Sequence, residues 1–172
     1  MSENKIEYQI FTYPLIFRLI FRYGNIIVTS VLLLYSVPLF TFLNEKMIFV
    51  FPLIINLVII YFLNKHYINL YKILPYKIEV DDDKVICSEF FLSRKNIVIS
   101  YEDIISLSGG IFENKLSGIM KVCDGQKDLC FGFYQRLNNS SKLATILLSK
   151  VNREIYDKVL QRIVEGKRKI NR

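Results

Sequence analysis

The chain has 172 residues, 52% of them hydrophobic, with a mean hydropathy of +0.28 and a formal net charge of +7. The basic excess is segregated: residues 1–72 carry net +3, 73–149 net −1 and 150–172 net +5. A middle segment without a basic face lacks the electrostatic footprint of nucleic-acid binding, so that partner class is excluded.

Residues 1–23 are expected to form an N-terminal interfacial segment. In "TYPLIFRLIFRY" (12–23), Thr12 or Tyr13 is placed to cap a helix with Pro14 in its first turn. Arg18 and Arg22 are four apart and share one helical face, and aromatic residues at 13, 17, 21 and 23 suit a headgroup layer. The segment lies in that layer or extends the helix that follows.

Residues 24–43 and 47–64 are two runs of 20 and 18 residues without a charge. A spanning helix needs ~20 apolar residues, and a charge at the bilayer centre costs on the order of 3 kcal/mol. Between the runs stand only Asn44, Glu45 and Lys46. One continuous span would bury the Glu45–Lys46 pair and is twice too long, so the chain must reverse there. The expectation is a transmembrane helical hairpin over 24–64 with Glu45 and Lys46 at its tip. Arg18 and Arg22 before it, and Lys65, Lys72 and Lys77 after it, put both termini on the cytoplasmic side of a multi-pass cell-membrane protein. A cleaved signal peptide is excluded by the doubled length of the apolar region.

A turn at 45–46 sets Asn56 level with Tyr35 and Ser36, so a hydrogen bond between Asn56 and Ser36 is expected across the hairpin. Pro38 and Pro52 fall at similar depth and are expected to bend both helices together. No ionisable residue lies within the spans, which argues against a transport path, and two helices enclose a pore only by oligomerising.

Residues 65–75 are expected to be a juxtamembrane linker. From 76 to 134 the pattern becomes period-two, with "YKIEV" (76–80), "KVICSEFF" (84–91), "NIVISY" (96–101), "EDIISLS" (102–108), "GIMKVC" (118–123) and "LCFGFY" (129–134) as strands. Asp81-Asp82-Asp83 and Asp124-Gly125 mark turns, and Gly109-Gly110 a break or bulge. From Ser140 to Glu165, apolar residues recur every four positions. One amphipathic helix about 39 Å long is expected there, ended by Gly166 and followed by a basic tail over 167–172 with Lys167, Arg168 and Lys169. The cysteines, Cys87, Cys123 and Cys130, are odd in number and lack C-x-x-C spacing. They are expected to be reduced and buried, a Cys123–Cys130 pair across one hairpin being the alternative.

The two-span hairpin, then "YKIEVDDDKVICSEF", then "NIVISYEDIISL" resemble the small bacterial membrane proteins with a pleckstrin-homology-like domain (bacterial PH-domain or YcxB-like proteins). The resemblance implies an α+β membrane protein: the hairpin, then a PH-like domain over 76–166 built as an antiparallel seven-stranded barrel or sandwich capped by the C-terminal helix. Headgroup-binding members carry Lys and Arg in the first strand–strand loop. Here that loop holds Asp81, Asp82 and Asp83, which repel phosphate.

No catalytic constellation is present. His66, the only histidine, stands beside Lys65 at the exit of the second span, and nucleophile-elbow, P-loop and H-E-x-x-H patterns are missing. No enzyme activity, cofactor or metal site is expected. The expected role is a membrane-anchored interaction module with the bilayer and a protein partner of unknown identity as its partners. Alternatives are a protective protein against membrane-active peptides and, more distantly, a subunit of a transport or sensor complex. Arg18, Arg22, Lys65, Lys72, Lys77, Lys167, Arg168 and Lys169 are expected at the membrane interface, against anionic headgroups.

Overall fold

The computed structural model describes residues 8–43, 46–91, 93–115, 117–127 and 129–170, with side chains through 166. It divides into two compact units, one of residues 15–72 and one of residues up to 14 together with 73 onward.

The sheet unit begins with a strand that precedes the apolar region. β1 (Gln9–Thr12) pairs antiparallel with β2 (Pro75–Val80), in the register Phe11 to Ile78. β3 (Lys84–Phe90) and β4 (Ile97–Ser100) complete a sheet of order β1-β2-β3-β4. The register lines up Phe11, Ile78, Cys87 and Ile97 in one row across all four strands, and each is at most 3% exposed. Period-two alternation explains the row: successive side chains of a strand point to opposite faces, so the apolar member of each pair goes inward.

β5 (Ile104–Ser108), β6 (Ile119–Asp124) and β7 (Cys130–Tyr134) form a second antiparallel sheet. Its inner row is Leu107, Val122 and Phe131, with Met120 opposite Phe133. The two sheets are separate ladders. Among the described residues no hydrogen-bonded pairing closes them into the barrel that was one form of the expected fold. The architecture is α+β: two long apolar helices, antiparallel sheets and C-terminal helices.

Four expectations need correction. First, residues 9–13 are not interfacial. Phe11 and Tyr13 are buried in the sheet unit, where the Tyr134 N–H donates to the Tyr13 hydroxyl at 2.8 Å and the Asn138 N–H to the Thr12 carbonyl at 3.1 Å. A core position on a sheet edge outcompetes the headgroup layer because it buries the whole ring and satisfies its hydroxyl.

Second, residues 65–73 are helix rather than linker. α1 runs Leu15–Phe42, and α2 runs Val50–Ile73 after a short 3₁₀ turn at Met47–Phe49. Neither glycine nor proline interrupts 65–73, so nothing stops the helix until Pro75. Pro52 sits in the first turn of α2, where its missing N–H costs nothing, and only Pro38 lies inside a helix. The paired bend therefore has no basis.

Third, the C-terminal helix is two: α3 (Ser140–Lys150) and α4 (Arg153–Ile170). Val151 is extended, and Asn152 opens α4 by accepting the N–H groups of Ile155 and Tyr156 on its carbonyl. Gly166 lies within α4, where the helix passes close to Asn114. The apolar repeat continues through the break and so does not reveal it.

Fourth, Cys123 and Cys130 stand directly opposite in the β6–β7 ladder, Cα to Cα 4.2 Å, and are joined by a disulfide. Cys87 is the free thiol, fully buried, and burial pushes its pKa well up.

Candidate functional site

α1 and α2 are antiparallel partners whose surface inverts the rule for soluble proteins. Leu34 is 71% exposed, Phe51 72% and Ile16 69%, whereas Asn56 is 4% and Asn25 6% exposed. In water, apolar side chains go inside and amides stay outside, because an amide loses its hydration on burial. Helices of 28 and 27 residues, Leu15–Phe42 and Met47–Ile73, are long and apolar enough to cross a membrane. At 1.5 Å per residue each is about 40 Å long, more than a ~30 Å hydrocarbon core requires.

The seam between the helices holds two polar clusters. In the first, the Asn56 amide donates to the Leu32 carbonyl at 2.9 Å and to the Ser36 hydroxyl at 2.7 Å. Ser36 in turn donates to Leu32 at 3.1 Å. In the second, Asn25 donates to Asn64 at 2.9 Å, Asn64 donates to Thr29 at 3.1 Å, and Thr29 faces Asn25 at 3.5 Å. The other hydrogen of the Asn64 amide goes to the Ile60 carbonyl. With no water in a bilayer core, an amide must find its partners within the protein, and both clusters supply them. Nearer the N-terminus of α1 and the C-terminus of α2, the Tyr71 hydroxyl donates to the Arg22 carbonyl at 3.4 Å.

The sequence pointed to Asn56 and Ser36 and missed the Asn25–Thr29–Asn64 ring. The same hairpin geometry would have found it, since a reversal at 45–46 sets Asn25 within one turn of Asn64. Replacing Asn56 by Leu is expected to lower the stability of the helix pair in detergent by about 1 kcal/mol, since membrane hydrogen bonds measure about 0.6–2 kcal/mol. A thermal melt of the variant unchanged from the parent would refute that.

The basic residues expected at the interface fall into four groups. Arg18 and Arg22 lie on the first turns of α1, with the Arg22 guanidinium 5.8 Å from the Tyr23 ring. Lys65 and Lys72 lie on the C-terminal half of α2, with Lys65 5.8 Å from the Tyr61 ring. Lys77 belongs to β2 of the sheet unit and pairs with Glu79 at 2.6 Å, an interaction that raises its pKa. Lys167, Arg168 and Lys169 end α4. At the reversal, Lys46 is extended and exposed, while Glu45 lies outside the described residues. His66 is exposed beside Tyr67.

Among its described residues the sheet unit bears a shallow surface groove of about 330 Å³, lined by Asp82, Asp83, Ser100, Tyr101, Glu102 and Lys150. Within it Lys150 holds Asp82 at 3.3 Å, and beside it the Asp81 carboxylate accepts the N–H groups of Asp83 and Lys84. Burial, reinforced by the three aspartates, pushes the Tyr101 phenol up to about 12, so it stays a neutral donor to the Asp81 carbonyl. Among the described residues, no three His, Cys, Asp or Glu side chains come together as a metal site would need. No protein-family model matches the chain, and no curated protein or solved structure matches it significantly.

Proposed function

We propose that the chain is a non-enzymatic, membrane-anchored interaction module, in which α1 and α2 cross the bilayer as a hairpin and the sheet unit is presented to a protein partner at the cytoplasmic face. The observation that carries this reading is the inverted burial of the hairpin, with amides hydrogen-bonded inside and apolar side chains outside. A second observation supports the count of crossings. β1 precedes the hairpin and β2 follows it, yet the two are hydrogen-bonded neighbours. That pairing is in keeping with a hairpin whose two ends emerge on one side of the bilayer.

The choice of the cytoplasmic side rests on Arg18 and Arg22 toward the start of α1 and Lys65 and Lys72 toward the end of α2, against the lone Lys46 at the reversal. The Cys123–Cys130 disulfide runs against that choice, since a reducing compartment opens such a bond, and its state in intact cells decides between the two faces. The PH-like reading of the sheet unit is supported by its seven antiparallel strands among the described residues and by its helical C-terminus. With Asp81 to Asp83 on the β2–β3 turn, the partner surface is a protein-binding one and not a phosphoinositide pocket.

The test is site-directed labelling of cells expressing the chain, with Lys46→Cys in a background lacking the other cysteines. An impermeant maleimide should label position 46 in intact cells, and a cysteine at Tyr8 or Ser141 only after permeabilisation. Labelling of positions 46 and 141 from the same side, or recovery of a monomer without detergent, would sink the hairpin reading. A Cys123–Cys130 disulfide trapped from intact cells would move the sheet unit to the other face. A partner that survives gentle detergent extraction at fixed stoichiometry supports the module reading.

A further inference from the structure

α4 carries more apolar surface than its own domain uses. Val159 is buried and Ile155 and Ile163 are half-buried, on the side where the Arg162 guanidinium donates to the Leu107 carbonyl at 3.1 Å. Tyr156, Leu160 and Val164, each four residues from the next, form an adjacent stripe that is 38%, 40% and 49% exposed. Such spacing keeps them on one face over about two turns. Lys167 follows by position on the same stripe, and the charged residues from 162 to 169 are Arg162, Glu165, Lys167, Arg168 and Lys169, a basic balance.

We propose that this stripe lies on the anionic surface of the bilayer, with α4 acting as an interfacial helix that remains attached to its sheet. The inference rests on the reading that the hairpin crosses a membrane. Magnitudes decide against the obvious alternative of a second copy. The three side chains expose on the order of 250 Å², well short of the ~800 Å² per partner of a stable protein interface. A headgroup layer makes no such demand: a narrow apolar face beside Lys and Arg is the pattern that binds there, and binding grows with anionic lipid. The tether also keeps that surface at high effective concentration, so weak contacts suffice.

The chain contains no tryptophan, so Leu160→Trp introduces a single indole at the centre of the stripe. The full chain would be reconstituted into nanodiscs of neutral phosphatidylcholine and of phosphatidylcholine with phosphatidylglycerol. In the anionic discs the emission should shift to the blue, with about twofold quenching by brominated lipid, and both effects should fade in high salt. The combined change Lys167→Gln, Arg168→Gln and Lys169→Gln should return the signal to that of neutral discs. Identical emission and quenching in the two lipids overturn the proposal. So does a blue shift that ignores lipid and tracks the number of copies per disc, which means self-association. Val164→Trp repeats the test if Cys87 becomes reactive in the first variant, signalling loss of the fold. Failure to enter nanodiscs at all, with the chain soluble in buffer, would instead refute the hairpin and the proposal with it.

Discussion

Gly109→Ala is expected to unfold the sheet unit while leaving the helical hairpin formed. Gly109 stands where the chain leaves β5 and turns into the 3₁₀ segment Gly110–Glu113, with φ +74° and ψ 170°. That region is essentially closed to residues with a side chain, at a cost of about 1–3 kcal/mol. Space is also lacking: a Cβ on Gly109 would collide with the carbonyl oxygen of Ile119, a backbone atom of β6 held in the ladder. Neither effect relaxes cheaply. Moving Ile119 disturbs its pairing with Tyr134, and moving the turn displaces Phe112, which is fully buried. Together they should cost on the order of 3–5 kcal/mol, a large part of the stability of a small domain. The readout is built into the chain. Cys87 is fully buried, and its reaction with a maleimide along a urea series in detergent reports opening of the sheet unit. The midpoint should fall sharply for Gly109→Ala. Gly24→Ala is the control: its Cβ would meet only Ile20 Cγ2, at an ordinary 3.8 Å, and the midpoint should not move. A parental midpoint for Gly109→Ala would mean that the β5–β6 connection described here is wrong.

Tyr13→Ala should be nearly as damaging, for a different reason. Tyr13 is 4% exposed, packs edge-on to Tyr76 at 6.3 Å between ring centres, and accepts the Tyr134 N–H. Burial pushes its phenol well above the usual value, partly offset by that hydrogen bond. Truncation removes a buried ring, worth about 3–5 kcal/mol in core positions, and strands a backbone donor. Tyr13→Phe separates the two contributions. It keeps the ring and loses only the acceptor, so about 1–2 kcal/mol is expected. In the same Cys87 assay the order should be parent, then Tyr13→Phe, then Tyr13→Ala. If instead Tyr13→Ala left the midpoint alone and only weakened association with lipid, residue 13 would belong to the membrane interface and β1 would not exist as described.

These two positions also mark how far local pattern carries. The isolated pair Glu45–Lys46 between charge-free runs was enough to divide 24–64 into two helices. Alternation alone was enough to put Ile78 with Val80, and Ile97 with Ile99, on one face of their strands, and all four are buried. Depth matching from the reversal was enough to bring Asn56 to Ser36, a contact that the helix seam contains at 2.7 Å. Gly109-Gly110 marked a break, though not that its first glycine lies against Ile119. By contrast, "QIFT" is four residues long, and its partner strand lies beyond the entire hairpin. No local rule distinguishes such a stretch from an interfacial one. The break at Val151–Asn152 was hidden because the apolar residues before and after it keep the helical spacing.

Local chemistry, then, decides what each segment of this chain becomes. Hydrophobic length and the cost of burying charge make the front a helix pair, and period-two apolarity makes the middle a set of strands. Which segments meet was settled only by the folded whole. The union of β1 with β2 across the hairpin, the juxtaposition of Cys123 and Cys130, the closed ring of Asn25, Thr29 and Asn64, and the face of α4 left uncovered all join residues through space. Their energies depend on complementary packing and paired hydrogen bonds between surfaces distant along the chain. That complementarity exists only once both partners are in place.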